Sequence, residues 1–217
     1  MQNDDPMIDG RAEESGADRP AALIAAAIVV ALIGALVLPL LHVAANGVAV
    51  SGAKLIRDRS ELCFDCVEDA PYPMLLWLEL IVVLAGLVAA LGLCIHGEGG
   101  RRVARTVVMI AAALVLLWAP FQTESKERPI GVVPIFEAMG IAVLVVAVLA
   151  RGRSYSRWIL VARAVVLVVA LIALLTIPGT RRQMPFTYDR LLWGYFVTVV
   201  ATAAASVTAI ATAVIRR

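Results

Sequence analysis

Charge is what this chain has least of. Asp, Glu, Lys and Arg together make up 17% of its 217 residues, while 61% are apolar; a soluble domain carries about 25% charged and about 45–50% apolar residues. Too little polar surface remains to cover a globule in water, which excludes a soluble enzyme or a disordered chain. Three cysteines exclude a disulfide-stapled secreted module. A net charge of +2 excludes the basic footprint that nucleic acid requires. Two histidines, four tryptophans and the lack of a phosphate loop, a His-Glu-x-x-His pair or a serine nucleophile motif leave no hydrolase or nucleotide-driven enzyme in view. No cofactor or metal is expected.

What the chain does have is long apolar runs. A bilayer core of about 30 Å needs about 20 such residues. Six stretches qualify: Ala21–Leu41, Met74–Ile95, Val103–Phe121, Val132–Ala150, Trp158–Ile177 and Leu191–Ile215. The expectation is an all-α integral membrane protein of six transmembrane helices, readable as three helical hairpins, with the lipid bilayer as its first partner. Residues 1–20 carry six acids and only Arg11 and Arg19. They read as a disordered acidic tail, unlike the basic start of a cleaved leader. Residues 21–217 then form one polytopic domain, with loop 42–73 inserted between the first two helices.

Orientation follows from the arginines clustered in two short turns, Arg101, Arg102 and Arg105, then Arg151, Arg153 and Arg157. The positive-inside rule puts these turns and both termini in the cytoplasm, and hence loop 42–73 outside the cell membrane. Arg105 lies one turn inside its span, where a long side chain reaches the headgroups. Trp77, Trp118, Trp158 and Trp193 stand near span ends, as an interfacial aromatic belt requires.

A repeat is visible at an offset of 58 residues. RTVVMIAAALVLLWAP from Arg105 aligns with RAVVLVVALIALLTIP from Arg163, matching Arg105 to Arg163 and Pro120 to Pro178. The same offset relates Glu79 to Glu137. Pro39, Pro120 and Pro178 are read as stopping helices at the outer interface.

The loop after the first span contains HVAANGVAVSG from His42, where Asn46-Gly47 favours a type I′ turn and hence a small β-hairpin. AKLIRDRSELCFDCVEDAP follows, with Leu55, Ile56, Leu62, Cys63, Cys66 and Val67 on one helical arc and acids on another, the pattern of a short amphipathic helix. Cys63 and Cys66 form a Cys-x-x-Cys, a candidate disulfide in an oxidising compartment. In position it resembles the quinone-linked disulfide-forming membrane proteins, which implies outward-facing thiol chemistry at Cys63 and Cys66. That family carries a second outer cysteine pair, whereas here the remaining cysteine is Cys94, at the inner end of the second span. Glu61, Asp65, Glu68 and Asp69 would also disfavour a thiolate.

Glu79 and Glu137 are the acids within apolar runs, and so the candidate transport site. Glu137 follows Pro134, where a carboxylate meets the positive end of its helix dipole. In the last span Thr198, Thr202 and Ser206 recur every four residues beside Ala201, Ala205 and Ala209. This small-residue stripe suits close helix packing, within the chain or against a membrane partner or second copy. Three functions follow: a non-enzymatic scaffold or accessory subunit contacting a partner through the outer loop, a small oligomeric transporter using Glu79, and a thiol oxidoreductase.

Overall fold

The computed structural model describes residues 10–43, 48–57, 72–95, 97, 99–122, 132–151, 157–182 and 188–215. In chain order the elements are α1 (Gly10–Leu36), β1 (Pro39–Val43), β2 (Ala49–Ser51), α2 (Gly52–Arg57), α3 (Tyr72–Cys94), α4 (Gly100–Trp118) with a 3-10 turn (Ala119–Gln122), α5 (Val132–Arg151), α6 (Arg157–Arg182), β3 (Tyr188–Leu191) and α7 (Trp193–Ile215). Helix α1 begins at Gly10, so the second half of the expected disordered tail is helical. Ala12, Glu13, Glu14 and Ala17 are residue types that favour helix. Residues 1–9 lie outside the described residues.

Five helices contain stretches long and apolar enough to cross a membrane: Arg19–Leu36, Leu76–Cys94, Gly100–Phe121, Arg157–Gly179 and Trp193–Ile215. In α5 the apolar stretch Pro134–Ala150 is shorter. Every long helix except α3 turns bulky apolar side chains outward, among them Leu23, Val107, Val148, Val165 and Val207. In water such a continuous apolar mantle would drive association; against hydrocarbon it is neutral.

Helix α3 is the centre. It touches α1, α4 and α6, and 72% of its apolar window is buried, against 33–39% for the other four. Helices α1, α3, α6 and α7 close a ring, α1 lying most extensively along α7; α4 packs outside α3, and α5 packs on α4. Two hairpins expected from chain order, α4–α5 and α6–α7, are thus packed neighbours. Lipid supplies no hydrophobic drive between helices, so close backbone approach must hold them together. Gly86 of α3 faces Ala170 of α6, Gly92 of α3 faces Met109 of α4, and Gly140 of α5 faces Leu117 of α4.

One end of the bundle holds the start of α1 and the end of α7, here the terminal face. The other end carries a three-stranded sheet in the order β2-β1-β3, here the sheet face. The expected hairpin is present: β1 and β2 pair antiparallel, Leu41 opposite Val50 and His42 opposite Ala49. The register differs from that of a two-residue turn at Asn46-Gly47, which would set His42 opposite Ser51; residues 44–47 lie outside the described residues. Strand β3 joins the other edge of β1 antiparallel, with Leu41 opposite Leu191 and His42 opposite Arg190. Leu40, Leu41 and Val50 are buried, so the sheet lies down on the helix ends as a cap. Helix α2 continues it with Leu55 buried and Ala53 and Arg57 exposed, the start of the amphipathic arc. The rest of that arc, with Cys63 and Cys66, lies outside the described residues.

The prolines do not all stop helices. Pro39 opens β1 and Pro120 lies in the 3-10 turn, but Pro178 is inside α6, which runs on to Arg182. A proline lacks the N–H that would bond the carbonyl four residues back, here that of Leu174. The Tyr195 hydroxyl, on α7, donates to that carbonyl at 3.2 Å. The last helix thus supplies the hydrogen bond that the proline withholds. Tyr195→Phe should therefore destabilise by about 1 kcal/mol, the worth of one bond to a buried carbonyl. A thermal midpoint unchanged from wild type in detergent would show that the bond contributes nothing.

Candidate functional site

Few polar side chains are buried in this core, and most of those are hydroxyls that bond locally. Thr198 donates to the Gly194 carbonyl at 2.6 Å, with the Ala31 carbonyl of α1 at 3.3 Å; Ser206 donates to Thr202 O and Thr212 to Thr208 O. Thr198, Thr202 and Ser206 are all buried within the chain, and Thr198 lies directly against Gly34 of α1. The stripe thus packs against the protein's own helices, the first of the two readings that the small residues allow.

The exceptions among the described residues are Thr202, whose hydroxyl has no hydrogen-bond partner, and two arginines. Arg105 of α4 and Arg163 of α6 are 1% and 0% exposed. Each lies about two turns or less into its helix from the terminal face, at 1.5 Å per residue. Arg105 does not reach toward headgroups as expected; its Nη2 donates to the carbonyl of Ala150, near the end of α5. The reason is geometric: the last carbonyls of a helix have no intrahelical donor, and the end of α5 lies against α4 at the depth of Arg105. Arg163 Nη1 lies 3.8 Å from the sulfur of Cys94, near the end of α3. Among the described residues, Nε of Arg105 and Nε and Nη2 of Arg163 have no hydrogen-bond partner.

These arginines are the pair matched by the 58-residue offset, and the packing reflects it. That offset carries α3 onto α5 and α4 onto α6, so the pairing of α4 with α5 corresponds to that of α6 with α3. In both pairings an arginine crosses to the end of the neighbouring helix. The signal in the sequence was an arginine at the same place in two spans, matched by the 58-residue offset.

The candidate carboxylates are not brought together. Glu79 is half-buried on α3, two turns from Gly86 and so on the side facing α6. Glu137 is half-buried on α5, three residues from Gly140, which faces α4. They occupy different helix interfaces. Among the described residues no group of three His, Cys, Asp or Glu side chains is placed to hold a metal ion. Trp77, expected in an interfacial belt, is instead 5% exposed, because α3 is surrounded by other helices; Trp118, Trp158 and Trp193 are exposed near helix ends.

At the sheet face Leu40, Leu41, Leu55, Leu76, Leu80, Ile177 and Tyr195 close over a void of only about 10 Å³. At the terminal face α5 and α6 diverge around an apolar groove of about 430 Å³. No family model, curated protein or solved structure matches the chain.

Proposed function

We propose that this chain is a six-span protein of the cell membrane with both termini in the cytoplasm, and that it serves as a non-enzymatic scaffold or accessory subunit whose extracytoplasmic cap contacts a partner. The sixth span is α5, whose 20 residues reach about 30 Å. The observation that carries the reading is the sheet: it ties the loop after α1 to the loop before α7, giving the outer surface a fixed base on tightly packed helix ends. From that base the acidic segment with Cys63 and Cys66 departs, and it is the proposed contact. Replacing residues 58–70 with a Gly/Ser linker of equal length should leave membrane insertion unchanged while abolishing crosslinks from a photoreactive residue at position 53. Crosslinks of unchanged pattern would overturn the assignment of the contact to this segment.

Orientation is tested by labelling single cysteines introduced at Ser51, Gly99, Ser125 and Ser154. Ser51 and Ser125 should react from outside and Gly99 and Ser154 should not; the reverse would invert the topology.

A second reading, a small transporter, is supported by one observation: Glu79 is a half-buried carboxylate on the most enclosed helix. In liposomes it requires a proton or cation flux that Glu79→Gln abolishes. A scaffold shows none in either form.

A further inference from the structure

Helices α5 and α6 are separated in the chain by residues 152–156 alone, yet they barely touch. The corresponding pair under the 58-residue offset, α3 and α4, is by contrast closely packed. Gly92 lets α3 approach α4, where an added Cβ would come 2.9 Å from Met109; the residue 58 positions on is Ala150. Instead of closing, α5 and α6 leave the groove of about 430 Å³, walled by Val146, Leu149, Ala150, Trp158, Ile159 and Ala162. A second hollow of about 350 Å³ adjoins it, lined by Arg157, Trp158 and Val161. Arg105 already engages the Ala150 carbonyl, so the groove wall presents little but hydrocarbon.

The rim is the opposite. Arg157 is exposed at the mouth, and Arg101 is exposed at the start of α4, at the same face. Helices α4 and α6 both begin there and point the positive ends of their dipoles at the rim. Across α4, α5 and α6 the single acid is Glu137, at the far end of α5. A slot of hydrocarbon walls under a cationic rim, with an amphipathic tryptophan between, matches a lipid carrying a negative headgroup better than a neutral one.

We propose that the α5–α6 groove seats one anionic phospholipid, its acyl chain along Ala150, Ile159 and Ala162 and its phosphate on Arg157. This rests on the reading that the helices cross a membrane. The test uses the full chain reconstituted in phosphatidylcholine vesicles, with either brominated phosphatidylglycerol or brominated phosphatidylcholine as the quenching probe. The Trp158 signal is wild type minus Trp158→Phe. That signal should be half-quenched at several-fold lower mole fraction of the brominated anionic lipid, whereas Trp118 and Trp193 respond to both lipids alike. Arg157→Gln should reduce the preference about fivefold, the factor equivalent to about 1 kcal/mol per basic residue at an anionic surface, and Arg157→Lys should retain it. Equal quenching of Trp158 by the two lipids overturns the proposal while leaving the membrane reading intact. So does a preference unaltered in Arg157→Gln. Trp158 shielded from both lipids while Trp118 and Trp193 are quenched overturns it in favour of a protein occupant. No quenching of any tryptophan by either lipid would overturn the membrane reading itself.

Discussion

Gly194→Ala should be among the most damaging conservative changes in this protein, lowering stability by about 3 kcal/mol. A Cβ at position 194 would lie 2.6 Å from the carbonyl oxygen of Pro39 and 2.8 Å from those of Gly34 and Leu38. All three are backbone atoms at the junction of α1 and β1, and β1 is itself held between β2 and β3. No rotamer change can relieve the clash, so α7 must withdraw from α1 or the cap must lift. Gly34→Ala, on the same interface, should cost less, because its nearest obstacle at 2.7 Å is the Thr198 hydroxyl. Gly179 provides the control: nothing lies within 4 Å of its added Cβ, and alanine in an exposed helical position should be neutral or stabilise by up to about 1 kcal/mol. Thermal unfolding followed by circular dichroism in detergent ranks the three. A Gly194→Ala midpoint within a degree or two of wild type would refute the close α1–α7 packing.

Arg163→Met should change stability in the other direction, raising it by about 1–2 kcal/mol. A guanidinium taken wholly out of solvent loses its hydration, and Arg163 recovers little: a sulfur at 3.8 Å, with Nε and Nη2 unbonded among the described residues. Replacing buried charge with apolar volume is commonly neutral or stabilising, whereas removing one half of a well-made interaction is not. Arg105→Met supplies the contrast, because it strips the donor from the Ala150 carbonyl and should give less gain, or a net loss. A large destabilisation by Arg163→Met would show that a strong counter-group holds this charge and would defeat the prediction. A gain would mark Arg163 as retained at the expense of stability, the usual sign of a residue kept for function.

The sequence by itself determined the helices, because each is a local property of an apolar run. Met74–Ile95 became Tyr72–Cys94, Val132–Ala150 became Val132–Arg151, and Leu191–Ile215 became Trp193–Ile215. That β1 and β2 pair was legible from the flanking alternation, but their register was not, since a two-residue turn at Asn46-Gly47 would set His42 opposite Ser51 and it lies opposite Ala49. Whatever depends on partners distant in the chain was decided by the tertiary structure. Strand β3 has no signal of its own in a loop of a few residues; it is a strand because β1, well over a hundred residues earlier, offers an edge where α6 ends and α7 begins. Arg105 has the same sequence character whether it reaches for headgroups or a helix end, and only the placement of α5 beside α4 turned it inward. Trp77 and the Thr198 stripe were assigned to their surroundings in the same way, by the position of α3 at the centre and of α1 along α7. Apolar periodicity says that a helix has a face, but burial is a relation between two surfaces, and the second one is not written nearby in the chain.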